Sequence, residues 1–392
     1  MTRSSLAIAA LSAALVGPAN AEALGIVVPA YFYPSSSSPL WPAMNDAAER
    51  VPLIAIMNPN SGPAGFIDSN YTRVVNELRA AGGTVIAYVA TTYAAKPLSQ
   101  VYAEIDLYNS QYNLDGIFLD EMSNTTAGST VDHYENIYNY IKGVDPNWLV
   151  MGNPGTTTQE AFMSRPTADN IVVFENFASN YPGYNPSNWN ADYPRERLSH
   201  LVHTQGSSST MLENVEQSYE QNAGYVYVTN DVLGNPWDTL PFYWDELVTA
   251  VETINAGAIE GDFNLDGELN LTDLELILNN PGAPRYDVSG NGITDNNDAI
   301  FWIENLLGSQ RGDANLDRKV DLVDLSILAS SFSQLGGYPD GDFNFSGAVN
   351  LIDLSILASN FGFDATTIPE PSGVLILLTP ALLARRRTTS LS

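Results

Sequence analysis

Eight short apolar runs, spaced along residues 24–257, constrain this chain more than any other feature. They are "GIVVPAYFYP", "PLIAIMNPNSG", "TVIAYVATTY", "LDGIFLDEM", "WLVMGNPG", "NIVVFENF", "LSHLVHTQG" and "YVYVTND". Most are continuously apolar rather than alternating. That is the pattern of parallel strands covered by helices on one face and by a core on the other. Helix-like segments lie between them. In "NYTRVVNELRAAG" Asn70 is the expected cap and Gly82 the stop, and "STVDHYENIYNYIKGV" has Ser129 at the capping position. Strand and helix alternating eight times in one domain predict an α/β chain folded as a (β/α)8 TIM barrel.

In such a barrel the C-terminal strand ends share one face, which carries the active site. Polar residues sit at these ends, and Tyr31, Tyr33, Asn58, Tyr88, Asn153, His203 and Asp231 are the expected substrate contacts. The fourth run ends on two adjacent acids, Asp120 and Glu121, where desolvation makes charge costly. Alternation puts Asp120 on the side of Phe118 and sends Glu121 the way of Leu119 unless the strand has already turned. Glu175 interrupts another apolar run two strands further round. Acids reaching one cavity from different strands are suited to flank a glycosidic bond, one as proton donor and one as nucleophile or base. Structural hydrogen bonding or helix capping is the plainer reading of the same residues. Tyr31, Tyr33, Tyr93, Trp189 and Trp237 are candidates for stacking on sugar rings, or else core.

Other chemistries lack their residues. The three histidines form no H-E-x-x-H pattern, there is no cysteine, and no G-x-S-x-G elbow occurs. The glycines of "AAGGTV" precede a strand instead of following one, which excludes a dinucleotide loop. A net charge of −29 argues against a nucleic-acid partner.

The motifs "PAYFYP", "NPNSGP", "DGIFLDE", "GNPG" and "VVFEN", in this order, resemble the spherulin-4 family, classed as glycoside hydrolase family 135. The resemblance implies a (β/α)8 barrel that cleaves α-1,4-linked N-acetylgalactosamine in galactosaminogalactan-type polymers, endo-acting, with no cofactor needed for catalysis. It places the functional acids on Asp120, Glu121 and Glu175. Beyond the resemblance, Asp120 is expected as nucleophile, Glu175 as acid/base, and Glu121 as the residue that orients substrate or tunes Asp120. A second route uses the sugar's own acetamido group, oriented by Asp120 with Glu121 as acid. An α-linked galacto sugar cannot offer that back-side attack. The rival from another class is a non-catalytic polysaccharide-binding or surface structural barrel.

Residues 260–364 hold an acidic repeat in four copies. "DFNLDGELNLTD" offers Asp262, Asn264, Asp266, Asn270 and Asp273; "DVSGNGITDNND" offers Asp287, Ser289, Asn291, Asp295 and Asp298. "DANLDRKVDLVD" offers Asp313, Asn315, Asp317, Asp321 and Asp324; "DFNFSGAVNLID" offers Asp342, Asn344, Ser346, Asn350 and Asp353. Oxygen side chains at loop positions 1, 3, 5, 9 and 12 match the spacing that wraps a structural Ca2+. Arg318 stands where the other three loops have the turn glycine. The first loop is expected to bind best and the second to be weakest or nearly so. One helix per loop, with Asp at position 12, resembles dockerin type I repeats. That implies a cohesin-like scaffold partner, with a calcium-stapled spacer as the alternative.

The ends read as addresses. Residues 1–21, with Arg3, an apolar stretch from Leu6 to Val16 and "ANA", form a secretory signal peptide. Residues 367–392 join "PEP", a short apolar stretch and Arg385 to Arg387, and resemble the PEP-CTERM sorting signal. The resemblance implies transient inner-membrane association, removal by an exosortase, and a secreted or surface-displayed product of a Gram-negative-type bacterium.

Overall fold

In a computed structural model of the chain, residues 23–257, 259–264 and 267–365 are described; the signal segment, the sorting tail and Asp266 lie outside them. The described residues fall into two compact units, one ending at Trp302 and one beginning at Ile303.

All eight apolar runs form strands: β1 Gly25–Ala30, β2 Leu53–Met57, β3 Thr84–Ala90, β4 Gly116–Asp120, β5 Leu149–Gly152, β6 Asn170–Phe177, β7 Leu198–His203 and β8 Tyr225–Val228. Each pairs in parallel with the next, and β8 closes on β1. The connections hold α1 Leu40–Ala48, α2 Ser69–Ala80, α3 Leu98–Gln111, α4 Thr130–Val144, the single turn α5 Ala161–Ser164, α6 Ser208–Glu220 and α7 Trp244–Gly257. The link from β6 to β7 runs through 3-10 turns instead of an α-helix. Residues 25–257 form a (β/α)8 barrel, as the sequence predicts. One apolar core takes the strands, nearly all fully buried, together with the inner stripe of the helices, such as Val74, Val75 and Leu78 of α2.

Two capping expectations are corrected. Asp68, not Asn70, caps α2, its carboxylate accepting the Asn70 N–H at 2.8 Å, while the Asn70 amide donates to the Tyr33 hydroxyl. Ser129 does occupy the cap position of α4 but makes no capping bond. Gly82, with φ +93°, ends α2 as expected.

After the barrel each acidic loop leads into a helix: α8 Leu271–Asn279, α9 Asn296–Phe301, α10 Leu322–Ser331 and α11 Leu351–Asn360. The first two belong to the first unit and the last two to the second.

Candidate active site

The site is built on the end of β4. Asp120 closes the strand, and Glu121 then turns into the left-handed region at φ +50°. This resolves the alternation problem: the strand has already turned, so Glu121 reaches the same cleft as Asp120 despite adjacent positions. A non-glycine residue there is strained unless its surroundings hold it. The Thr91 hydroxyl touches the carbonyls of both Asp120 and Glu121, at 3.0 and 2.9 Å, and the Thr91 N–H donates to Asp120 at 2.9 Å.

From β5 comes Asn153, 5 % exposed, whose backbone is locked both ways to β4. Its N–H donates to Leu119 and its carbonyl accepts from Met122. Its side-chain Nδ2 donates to Asp120 Oδ1 at 2.9 Å and to Glu175 Oε2 at 2.6 Å, while its Oδ1 accepts from the Gly155 N–H. Gly155 is left-handed at φ +68°, and a Cβ added to it would lie 4.0 Å from Glu175 Oε2. On β6 the register with β7 shifts between Val172 and Phe174, just before Glu175.

These contacts set the electrostatics. Burial pushes the Glu175 carboxyl up to about 7; the Asn153 hydrogen bond opposes this and the nearby Asp120 charge adds to it. Tyr88 and Tyr31 are held protonated, first by burial and then by Asp120, and Tyr88 also hydrogen-bonds that carboxylate. Burial lowers His203, leaving its imidazole neutral at ordinary pH.

Asp120, Glu121, Glu175, Asn153 and His203 thus converge on one cleft of about 370 Å³, with Tyr93 on its wall. Tyr31 and Tyr88, packed edge to face at 5.6 Å and acted on by the Asp120 charge, are not among the residues that line it. Three further expected contacts also stand outside it. Asn58 turns back to accept the Gly62 N–H, Tyr33 is tied to Asp68, and Asp231 accepts from Val232 within its own loop. Sequence reasoning did not reach Thr91, the fully buried Tyr134 beside it at 3.0 Å, or Gly155. Thr91 and Tyr134 read as ordinary strand-end and helix-core residues, and Gly155 as a turn glycine.

The acidic loops share one internal geometry. The position 1 acids Asp287, Asp313 and Asp342 each accept the N–H groups of positions 5 and 6, and Asp262 accepts that of position 6. The position 12 acids Asp273, Asp298, Asp324 and Asp353 are buried and accept the N–H of position 9. Asn270, Asp295, Asp321 and Asn350 cap the following helices. Asn264, Ser289, Asn291, Asn315, Asp317, Asn344 and Ser346 fill the turns between. Among the described residues no three His, Asp or Glu side chains are gathered as a metal cluster; the carboxylates are turned onto backbone N–H groups.

Spherulin-4 of Physarum polycephalum is 34 % identical over 264 residues, covering 64 % of this chain and 76 % of the relative. Among solved structures, Aspergillus clavatus Sph3 in complex with GalNAc is 26 % identical with a TM-score of 0.52, covering 59 % of this chain and 98 % of that one. Residues 25–251 match the spherulation-specific family 4, which takes in every strand of the barrel and the whole cleft, and the chain belongs to that family.

Proposed function

We propose that the barrel is an endo-acting glycoside hydrolase that cleaves a galactosamine-type polysaccharide by a retaining, two-carboxylate mechanism. The observation that carries this reading is the shared Asn153 amide. Its bonds of 2.9 and 2.6 Å, laid end to end, keep Asp120 Oδ1 and Glu175 Oε2 no more than about 5.5 Å apart. Retaining pairs stand ~5–5.5 Å apart, and inverting pairs ~6.5–9.5 Å, to leave room for a water. The GalNAc held by the related Sph3 supports the choice of sugar.

In this mechanism Glu175, protonated below about pH 7, gives its proton to the glycosidic oxygen as Asp120 attacks the anomeric carbon. The bond to the leaving sugar breaks and a glycosyl ester forms on Asp120. Glu175, now ionised, takes a proton from water, whose oxygen displaces Asp120. Glu121 orients the sugar from the same cleft. Digestion of a panel of galactosamine-containing polymers by the wild-type chain and by Asp120→Asn tests the reading. Reducing ends should appear only with wild type. Full activity in Glu175→Gln together with none in Glu121→Gln would reverse the assignment.

The acidic loops are proposed to bind structural calcium, through Asp262, Asn264, Asp266, Asn270 and Asp273 and their counterparts in the other three copies. What supports this is a fit of charge. Asp313 is buried and pushed up to about 6, first by burial and then by the neighbouring Asp324 and Asp317, the condition a divalent cation relieves. A cohesin-like partner for these repeats, export, and exosortase sorting of the product remain part of the proposal.

A further inference from the structure

Next to the acids lies a backbone feature that the chemistry above leaves unused. Thr92, Tyr93 and Ala94 are all left-handed, at φ +50°, +53° and +69°. Three consecutive non-glycine residues in that region work against side-chain sterics, and such strain persists only where surrounding structure holds it. Here the support is explicit. The Tyr93 N–H donates to the Glu121 carbonyl at 2.7 Å. The hydroxyl of fully buried Tyr134 on α4 stands 3.0 Å from the Thr91 hydroxyl and accepts from the Ser123 and Ala94 N–H groups. One buried hydroxyl therefore pins both the Glu121 turn and the Tyr93 turn.

The product of this support is an exposed aromatic ring. Tyr93 lines the cleft with Asp120 and Glu121, yet is 64 % exposed, and no other described ring packs on it. Its exposure cannot come from a need to fill the core.

We propose that Tyr93 is a sugar-stacking platform that selects galacto-configured rings at the cleft, with Tyr134 as the positioning residue behind it. The inference deepens the function proposed above and rests on it for the class of sugar. The face of an aromatic ring is electron-rich. In a galacto-configured pyranose the axial O4 leaves the opposite face with C–H groups at C3, C4 and C5, which such a face attracts. A gluco-configured ring has O4 equatorial and lacks that continuous C–H face. Stacking beside the acids would place the anomeric carbon over Asp120 and Glu175.

The test is binding of N-acetylgalactosamine and N-acetylglucosamine to the full chain, by calorimetry or ligand-observed NMR, in parallel with polymer hydrolysis. Wild type should prefer N-acetylgalactosamine. Tyr93→Ala should weaken that binding on the order of tenfold and erase the preference, while Tyr93→Phe and Tyr93→Trp keep both. Tyr134→Phe should weaken binding in the same direction with its melting temperature checked separately. Unchanged N-acetylgalactosamine binding in a folded Tyr93→Ala, no preference in wild type, or no binding of either sugar would overturn the inference. Hydrolysis reads the function separately. Tyr93-dependent binding without polymer cleavage supports the platform and sinks the hydrolase, and cleavage indifferent to Tyr93 does the reverse.

Discussion

Replacing Asn153 with alanine removes one amide from between two carboxylates, and the structure gives the direction of the result. The Asn153 bond to Glu175 favours the ionised carboxylate and holds its pKa down against burial and the Asp120 charge. Without it, the pKa of about 7 must rise. A hydrogen bond to a charged group contributes ~1.5–3 kcal/mol, and one pKa unit is about 1.4 kcal/mol. The full loss is therefore about one to two units, with the lower figure expected because water can take the vacated place. A general acid works while protonated, so activity declines as pH rises through this pKa. In Asn153→Ala the alkaline limb of the kcat/KM profile should consequently move to higher pH by about one unit, alongside a lower maximum from looser carboxylates. The assay is the pH dependence of initial rates on a soluble galactosamine oligomer. An alkaline limb that stays in place, or moves to lower pH, would refute the reasoning.

The same carboxyl has a cost in stability. Its folded pKa is raised, so the stabilising effect of its proton is present at acid pH and lost as pH rises through about 7. Glu175→Gln should stabilise the fold at pH 8 by roughly 2 kcal/mol after allowance for contact with solvent, read as a higher melting temperature, and have almost no effect at pH 4, below the unfolded carboxyl's pKa of about 4.3; equal effects at both pH values would contradict this. In the third loop Arg318 is left-handed at φ +67°, where the other loops place Gly267, Gly292 and Gly347 at +86°, +88° and +82°. Arg318→Gly should stabilise the second unit by about 1 kcal/mol, the relief of side-chain strain less the added freedom of the unfolded chain, read as a higher melting temperature. Chelation with EDTA should lower the melting temperature of the full chain and added Ca2+ should restore it; an indifferent melt would remove the calcium proposal.

How far the sequence discloses this molecule depends on whether a feature is local. The eight strands are legible because burial on both faces leaves an unbroken apolar run, whatever the partners are. Asp120 and Glu175 stand out for the same reason, as acids ending or interrupting such runs. The cap of α2 is misplaced by two residues because Asp and Asn are both favoured at that position, and where the helix starts, which decides between Asp68 and Asn70, is not marked in the local sequence. The alternation of strand and helix leads one to expect a helix between β6 and β7, but Pro182, Pro186 and Pro194 work against one there, and 3-10 turns take its place. Asn153 is visible as a strand-end polar residue, but its bridging role is not. That role needs β5 beside both β4 and β6 at one register, a relation between distant segments. The turn at Glu121 is equally hidden, since its support comes from Thr91, just past β3, and Tyr134 on α4.

The central claim is that Asp120 and Glu175, held together by Asn153, act as a retaining pair. The measurement closest to it is the anomeric configuration of the first product, followed by proton NMR as wild-type enzyme cleaves an α-linked N-acetylgalactosamine oligomer. The account predicts that the α-anomer appears first and mutarotates afterwards, with no product from Asp120→Asn. A β-anomer as first product, or cleavage by Asp120→Asn at the wild-type rate, would contradict it.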